Sequence, residues 1–315
     1  MYHYVRKPLS SLPHFNFLHA DDFARQLDFF QKDSAIFSPD DLFKAMQTGI
    51  VPDGYLLTFD DGLKDHYEFV FPELQKRGLA AFFFVSTGWY KHRRMLHVHR
   101  VHLLLGRFGG THILAQLQSI IEPYMISEEQ KANFSGFTYP NQQNDEATLA
   151  VKQLLNFYIK SEYLPKVLDA LMKQNGIDET AEGENFYLSK ADILAMQAAG
   201  MIIGSHTENH PVLSKLSHSE QKKEILQSID FFERDLQLGK PNSFCYPYGY
   251  AGTYNADTIE LLNKNDFNTA FVVDARDVTK DDLLHHPLTL PRFDCNMFPH
   301  GKVWRGETRV DNRKS

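Results

Sequence analysis

The stretch Leu56-Leu57-Thr58-Phe59-Asp60-Asp61-Gly62 constrains this chain more than any other. Its first four residues read as the end of a buried strand; two carboxylates then stand side by side and a glycine turns the chain. A strand has no use for adjacent acids at the end of an apolar run. Like charges this close raise each other's pKa unless something positive compensates, and a divalent cation would do so. The counterpart lies downstream, in Gly204-Ser205-His206-Thr207-Glu208-Asn209-His210-Pro211. His206 and His210 are four apart, a spacing that one helical turn would bring to one face and that suits a shared metal ion. Two histidines and one aspartate make three protein ligands and leave positions for water and substrate, as in a catalytic rather than a closed structural site.

The elements between these motifs alternate. Strands are expected at 55–59, 81–85, 201–204, 242–246 and 268–273, with helices over 21–31, from Pro39 to Gly49, 65–76, from Ser189 to Gly200, from Ser217 to Gly239, and 256–265. Ser38-Pro39-Asp40-Asp41 has a cap, a proline at the first position and an acid three residues on. Ser189 with Asp192 and Ser217 with Glu220 have the same cap spacing. Pro72 is expected to kink or restart its helix. Alternation of this kind implies an α/β fold with parallel strands, and site loops that follow strands belong at the C-terminal face of a barrel. Leu288-Thr289-Leu290-Pro291-Arg292-Phe293 is the last such unit.

Residues 58–62 (TFDDG) and 205–211 (SHTENHP) resemble the first two motifs of the polysaccharide deacetylase family, also known as the NodB-homology domain or carbohydrate esterase family 4. Tyr246-Pro247-Tyr248-Gly249 resembles the third. The stretches at 72–85 and 188–206 are similar to the family's helix and second strand and to its approach to the histidines. The resemblance covers about 1–90 and 186–295 and implies a distorted (β/α) barrel of the NodB type. It implies Asp60 as the base, Asp61, His206 and His210 as metal ligands, and a backbone N–H near Tyr248 as oxyanion donor; read alone, the Tyr-Pro-Tyr-Gly stretch is merely a tight turn. The activity it implies is metal-dependent hydrolysis of a linear amide, removing an N-acetyl group from a sugar or glycan precursor. Zinc is favoured by ligand type, with cobalt, nickel or manganese also compatible.

Two departures from the family stand out. Many members carry arginine two residues before the proline of the third motif, where this chain has Cys245; Arg292 is the candidate replacement, its alternative being a surface ion pair. The family's Leu-x-His motif, which supplies a general acid, finds its letters in Leu283-Leu284-His285, but His286 follows and competes for the match. His3, in a strand expected at Tyr2–Val5, either lines the site or packs inside the barrel.

The character of the chain changes from 91 to 185, read as a mostly helical insertion or lid over a catalytic barrel of 1–90 and 186–300. The alternative is a structural or oligomerisation subdomain. It opens on the basic turn Lys91-His92-Arg93-Arg94, and His97, His99 and His102 follow with no carboxylate in step, which favours a solvated helical face over a metal site. Tyr139 to Asp145 reads as a loop, and 301–315 as a charged, frayed tail.

A net charge of −7 argues against nucleic acid and anionic membrane surfaces as partners. Cys245 and Cys295 are too few for a disulfide framework. The first residues show no apolar signal segment and no run of 18 apolar residues exists, so a cytoplasmic protein without a membrane span is expected. Two rival readings keep the fold: a de-N-formylase or cyclic-imide or ureide amidohydrolase, and a non-catalytic sugar-binding protein with a degenerate site, which Cys245 mildly favours.

Overall fold

The structure, a computed structural model, describes residues 1–135, 144–306 and 308–309. Residues 139–143 of the expected Tyr139–Asp145 loop lie outside the described residues. The chain forms two compact units: Met1–Lys7, Leu18–Arg93 and Glu184–Lys302 in one, and Pro8–Phe17, Arg94–Gly183 and Val303 onward in the other.

In the first unit the strands are β1 (Val5–Arg6), β2 (Asn16–His19, which begins in the second unit), β3 (Ala35–Ile36), β4 (Gly54–Tyr55), β5 (Thr58–Phe59), β6 (Phe82–Val85), β7 (Ile202–Ser205), β8 (Ser243–Cys245) and β9 (Thr269–Phe271). Strands β5 to β9 form a parallel sheet in chain order, with Thr58 opposite Phe82, Phe84 opposite Gly204 and Phe244 opposite Ala270. Single bridges extend both edges: Tyr2 pairs with Phe59, and Leu290 pairs with Phe271. The two edges then meet, because the Cys295 amide donates to the Met1 carbonyl at 3.1 Å. The strands are shorter than the sequence reading except β7, which is shifted by one residue, and β4 and β5 are separate pieces of the expected strand 55–59.

The helices of this unit follow their caps. They are α1 (Ala20–Asp33), α2 (Pro39–Thr48), α3 (Phe71–Lys76), α4 (Gly88–His92), then α11 (Lys190–Ala198), α12 (His218–Asp230), α13 (Ala256–Lys264) and α14 (Lys280–His285). Ser38 with Asp41, Ser189 with Asp192 and Ser217 with Glu220 all form reciprocal capping boxes, each satisfying amides that a helix start leaves unbonded. Pro72 opens α3 behind a π-turn at His66–Val70, so the helix restarts there.

Period-two alternation sorts β6. Phe83 and Val85 join an outer cluster with Phe23 and Leu27 of α1, Leu74 of α3 and Ile193 of α11. Phe82 and Phe84 face inward, clustered with Cys245, Phe271 and Leu290, and with Leu42 of α2 and Leu283 of α14. Gly204 is required inside: a Cβ there would meet the Phe84 ring at 2.6 Å and the Ser243 hydroxyl at 2.5 Å.

The second unit contains α5 (His97–Phe108), α6 (Gly110–Ile120), α7 (Glu128–Phe134), α8 (Glu146–Gln153), α9 (Leu164–Gln174) and most of α10 (Glu179–Phe186). It also takes in Pro8–Phe17, which the sequence reading gave to the barrel. The reason is packing: Gly106 lies so close to the Phe15 side chain that a Cβ would stand 2.3 Å from it. The expected frayed tail is corrected in part, since β10 (Val303–Arg305) and β11 (Thr308–Arg309) form an antiparallel pair and the Gly306 amide donates to the Phe15 carbonyl. The solvated histidine face is corrected too: His99 is fully buried, and His97 and His102 are half-buried. No described helix is long and apolar enough to cross a membrane.

Candidate active site

The aspartate pair follows β5 in an abrupt turn. Asp61 has φ +80° and Gly62 φ +64°, left-handed values that an L-residue such as Asp61 adopts at an energetic cost. The turn lets neighbouring carboxylates face different partners. Asp60 turns to Arg292, whose Nη1 and Nη2 donate to its two oxygens at 2.8 and 2.9 Å. Asp61 turns to the histidines: His206 Nε2 and His210 Nε2 each lie 3.4 Å from its Oδ1.

His206 and His210 do not sit on a helical turn, contrary to the sequence expectation. They flank an irregular loop after β7, with positive φ at Thr207 (+65°) and His210 (+55°). The loop is held in place by the segment after β6. Ser86 Oγ donates to the His206 carbonyl at 2.8 Å, and the Thr87 and Gly88 amides donate to the Thr207 and Glu208 carbonyls at 3.1 and 2.7 Å. Inside the loop the His210 amide donates to Thr207 Oγ1. Glu208, buried between the two histidines, meets Lys91 and His92 at 3.2 Å each. The basic turn is thus spent on ion pairs: Arg93 pairs with Glu184, and Arg94 with Asp169.

The donor set fits a divalent metal. Its three ligand atoms lie within 4.8 Å of one another. Two ligands at about 2.1 Å from a tetrahedral zinc stand roughly 3.4 Å apart, which matches both Asp61–histidine distances. His206 donates its other ring nitrogen, Nδ1, to the Cys245 carbonyl at 2.6 Å, which aims Nε2 at the shared point. Burial disfavours the His206 cation, but Cys245 and Asp61 outweigh it and raise its pKa. The surroundings therefore attract positive charge.

Arg292 is buried and fully engaged. Besides Asp60 it donates to Thr58 Oγ1 at 3.0 Å, to Cys245 Sγ at 3.0 Å and from Nε to the Val272 carbonyl at 3.2 Å. Cys245 leaves room for this guanidinium, which arrives from the far edge of the sheet rather than from β8. Burial would raise the Asp60 pKa, but the charge and hydrogen bonds of Arg292 hold it well below the usual carboxylate range.

Tyr248 has φ +64°, and its ring meets the His210 ring edge to face at 5.0 Å. Gly249 completes the turn with φ +68°; a Cβ there would stand 2.9 Å from Val273. Burial, with Asp61 second, pushes the Tyr248 phenol up, so it stays protonated.

His285 and His286 are not brought to this site. Both are exposed at the end of α14, whose Leu283 enters the interior cluster, and His286 lies 3.5 Å from Asp281. The local letters matched, but the amphipathic helix turns the leucine inward and both histidines out. The histidine that does stand beside the aspartate pair is His3. Its Nε2 is 3.8 Å from Asp60 Oδ2, with the side chain 41% exposed. The sequence left His3 undecided because the pairing of Tyr2 with Phe59, across more than fifty residues, is what delivers it.

The polysaccharide deacetylase family model matches residues 156–270, which include the histidine loop and the Tyr-Pro-Tyr-Gly turn but not the aspartate pair. Among solved structures, a deacetylase from Streptococcus pyogenes, PplD, in complex with acetate is 17% identical, with 93% of this chain and 88% of that one covered and a TM-score of 0.56. A de-N-acetylase from Aggregatibacter actinomycetemcomitans is 13% identical over 92% and 91% of the two chains, with a TM-score of 0.51. The BpsB deacetylase domain from Bordetella bronchiseptica is 14% identical over 85% and 82%, with a TM-score of 0.50. These likenesses establish the α/β barrel fold. No curated protein matches this chain.

Proposed function

We propose that this chain, a polysaccharide deacetylase family protein, is a metal-dependent amidohydrolase that removes the N-acetyl group from a sugar or glycan precursor. The observation that carries this reading is the division of labour between adjacent carboxylates: Asp60 faces a guanidinium, and Asp61 faces two histidines at metal-sharing distance. A divalent cation held by Asp61, His206 and His210, with zinc favoured by ligand type, supplies Lewis-acid polarisation of the amide carbonyl.

The remaining steps belong to the chain. Asp60, kept ionised and oriented by Arg292, accepts the proton of the attacking water. The new C–O bond turns the amide carbonyl into a tetrahedral oxyanion, towards which the backbone turn at Tyr248 directs an amide. As the C–N bond breaks, the amine leaves with a proton from His3, which lies beside Asp60 and is open to solvent. The products are acetate and a free amino sugar. Arg292 also answers the departure at Cys245 that favoured a non-catalytic module, since the base has its cation from another strand.

Acetate release from a panel of N-acetylated sugars, run beside N-formyl sugars and cyclic imides and after metal analysis, tests the proposal. Acetate formed in proportion to bound metal supports it. Turnover confined to formyl or imide substrates assigns the same site to the other amide class, and no turnover on any of them overturns the enzymatic reading.

A further inference from the structure

The backbone that carries His3 lacks a strand partner at the place where it needs one. Tyr2 pairs with Phe59, its amide donating to the Thr58 carbonyl and its carbonyl accepting from the Asp60 amide, both at 2.9 Å. The ladder resumes directly after His3, where the Leu18 amide donates to the Tyr4 carbonyl at 2.9 Å and strand β1 begins at Val5. Between them the His3 carbonyl is met by a side chain: His66 Nε2, at 2.8 Å. A carbonyl can only accept, so His66 is the Nε2–H tautomer. Its ring is fully buried, 5.6 Å from the Phe59 ring and 5.6 Å from the Phe83 ring, which leaves it little freedom to turn. Burial lowers its pKa to about 4, so the ring is neutral at pH 7. The adjacent residue acts on the same segment: Asp65 takes Arg6 in two hydrogen bonds of 2.7 and 2.9 Å, both side chains buried.

We propose that His66 is a positioning residue for His3, its ring N–H standing in for the missing ladder bond and fixing the backbone from which the His3 imidazole reaches Asp60. The proposal rests on the reading of His3 as the acid that protonates the leaving amine. The turn after the aspartate pair then does two jobs. Its first residues aim the carboxylates, and Asp65 and His66 hold the segment from His3 to Arg6.

The test uses metal-loaded enzyme. His66→Phe keeps an aromatic ring in the slot and removes the donor; His66→Gln keeps an N–H at about the same reach. His66→Phe is expected to lower kcat by about 10- to 100-fold, with KM and metal content unchanged, and His66→Gln to restore most of it. In a His3→Ala background, His66→Phe should cost nothing further, since the two act as one unit. An equal loss with and without His3, or a loss that tracks metal content, overturns the proposal. Nitrogen-15 spectra of histidine-labelled wild-type protein give a readout that needs neither a substrate nor a variant that folds: a slowly exchanging Nε2–H on His66 is expected, and an Nδ1–H tautomer overturns the assignment. If the wild type hydrolyses no amide, the deacetylase reading fails alone. The spectra then decide, since His3 resonances unmoved by His66→Phe would overturn the positioning role.

Discussion

His206 and His210 in the barrel unit and His97 in the helical unit sit in surroundings of opposite charge. Around His206, burial is outweighed by Cys245 and the Asp61 carboxylate, and the pKa rises. Around His97, burial acts with the Arg100 and Arg94 guanidiniums, and the pKa falls to about 4. The acid that acts on His97, Asp169, is already taken by Arg94 and Arg100. Both regions cluster histidines, with the His99 and His102 rings 6.1 Å apart. Among the described residues, Asp61, His206 and His210 alone form a group that could hold a metal. Imidazoles become ligands where an anion stands among them to offset the cation's charge; without one, proximity serves packing.

The sharpest way to break this contrast is to remove one histidine from each set. His210→Ala is expected to lose nearly all bound metal, since an aspartate and one histidine bind poorly, while His97→Ala keeps full stoichiometry by elemental analysis. Full metal in His210→Ala would end the contrast.

Next in size is the base. Asp60→Asn should retain metal and lose turnover by about 10²–10⁴, measured as kcat on the best substrate of the panel. Loss of metal in Asp60→Asn together with its retention in Asp61→Asn would reverse the two roles.

Arg292→Met leaves a buried carboxylate without its partner and should destabilise the fold by about 3–5 kcal/mol in urea unfolding. Asp60→Asn combined with Arg292→Met should recover much of that, because no lone charge remains. A single variant as stable as wild type would mean that Asp60 finds another cation or takes up a proton.

The contrast also has a pH signature. His97 and His66 each have a folded pKa of about 4, below the ordinary value of 6.5. Between those values the unfolded chain binds more protons, so stability is full above about pH 6.5 and falls as pH drops towards 4. The Tm of chelator-treated protein should fall across this window, and His97→Phe should flatten part of the decline. An identical pH dependence in the variant would show that His97 is not held neutral by the fold. The smallest effect is expected at His285: His285→Ala should leave kcat/KM within about twofold and the alkaline limb of its pH profile in place, because loss of a general acid would cost about 10²-fold or more.

Local chemistry was legible in the amino-acid sequence. The capping boxes at Ser38, Ser189 and Ser217 are three-residue devices. The alternation of strand and helix depends on short-range periodicity, and Asp60, Asp61, His206 and His210 stand at strand ends where a motif of a few residues identifies them. Tertiary structure decided whatever depends on contacts between distant segments. Arg292 reaches Asp60 because the two edges of a curved sheet meet, a closure no local pattern encodes. His3 comes to the site because Tyr2 pairs with Phe59, and His285 stays away because a six-residue helix turns Leu283 inward. His66 carried no signal, since a histidine in a turn looks the same whether it faces solvent or the carbonyl of a residue sixty-three positions earlier. Spacing along a chain limits which side chains can share a face over a few residues; beyond that, strand pairing and burial select the partners.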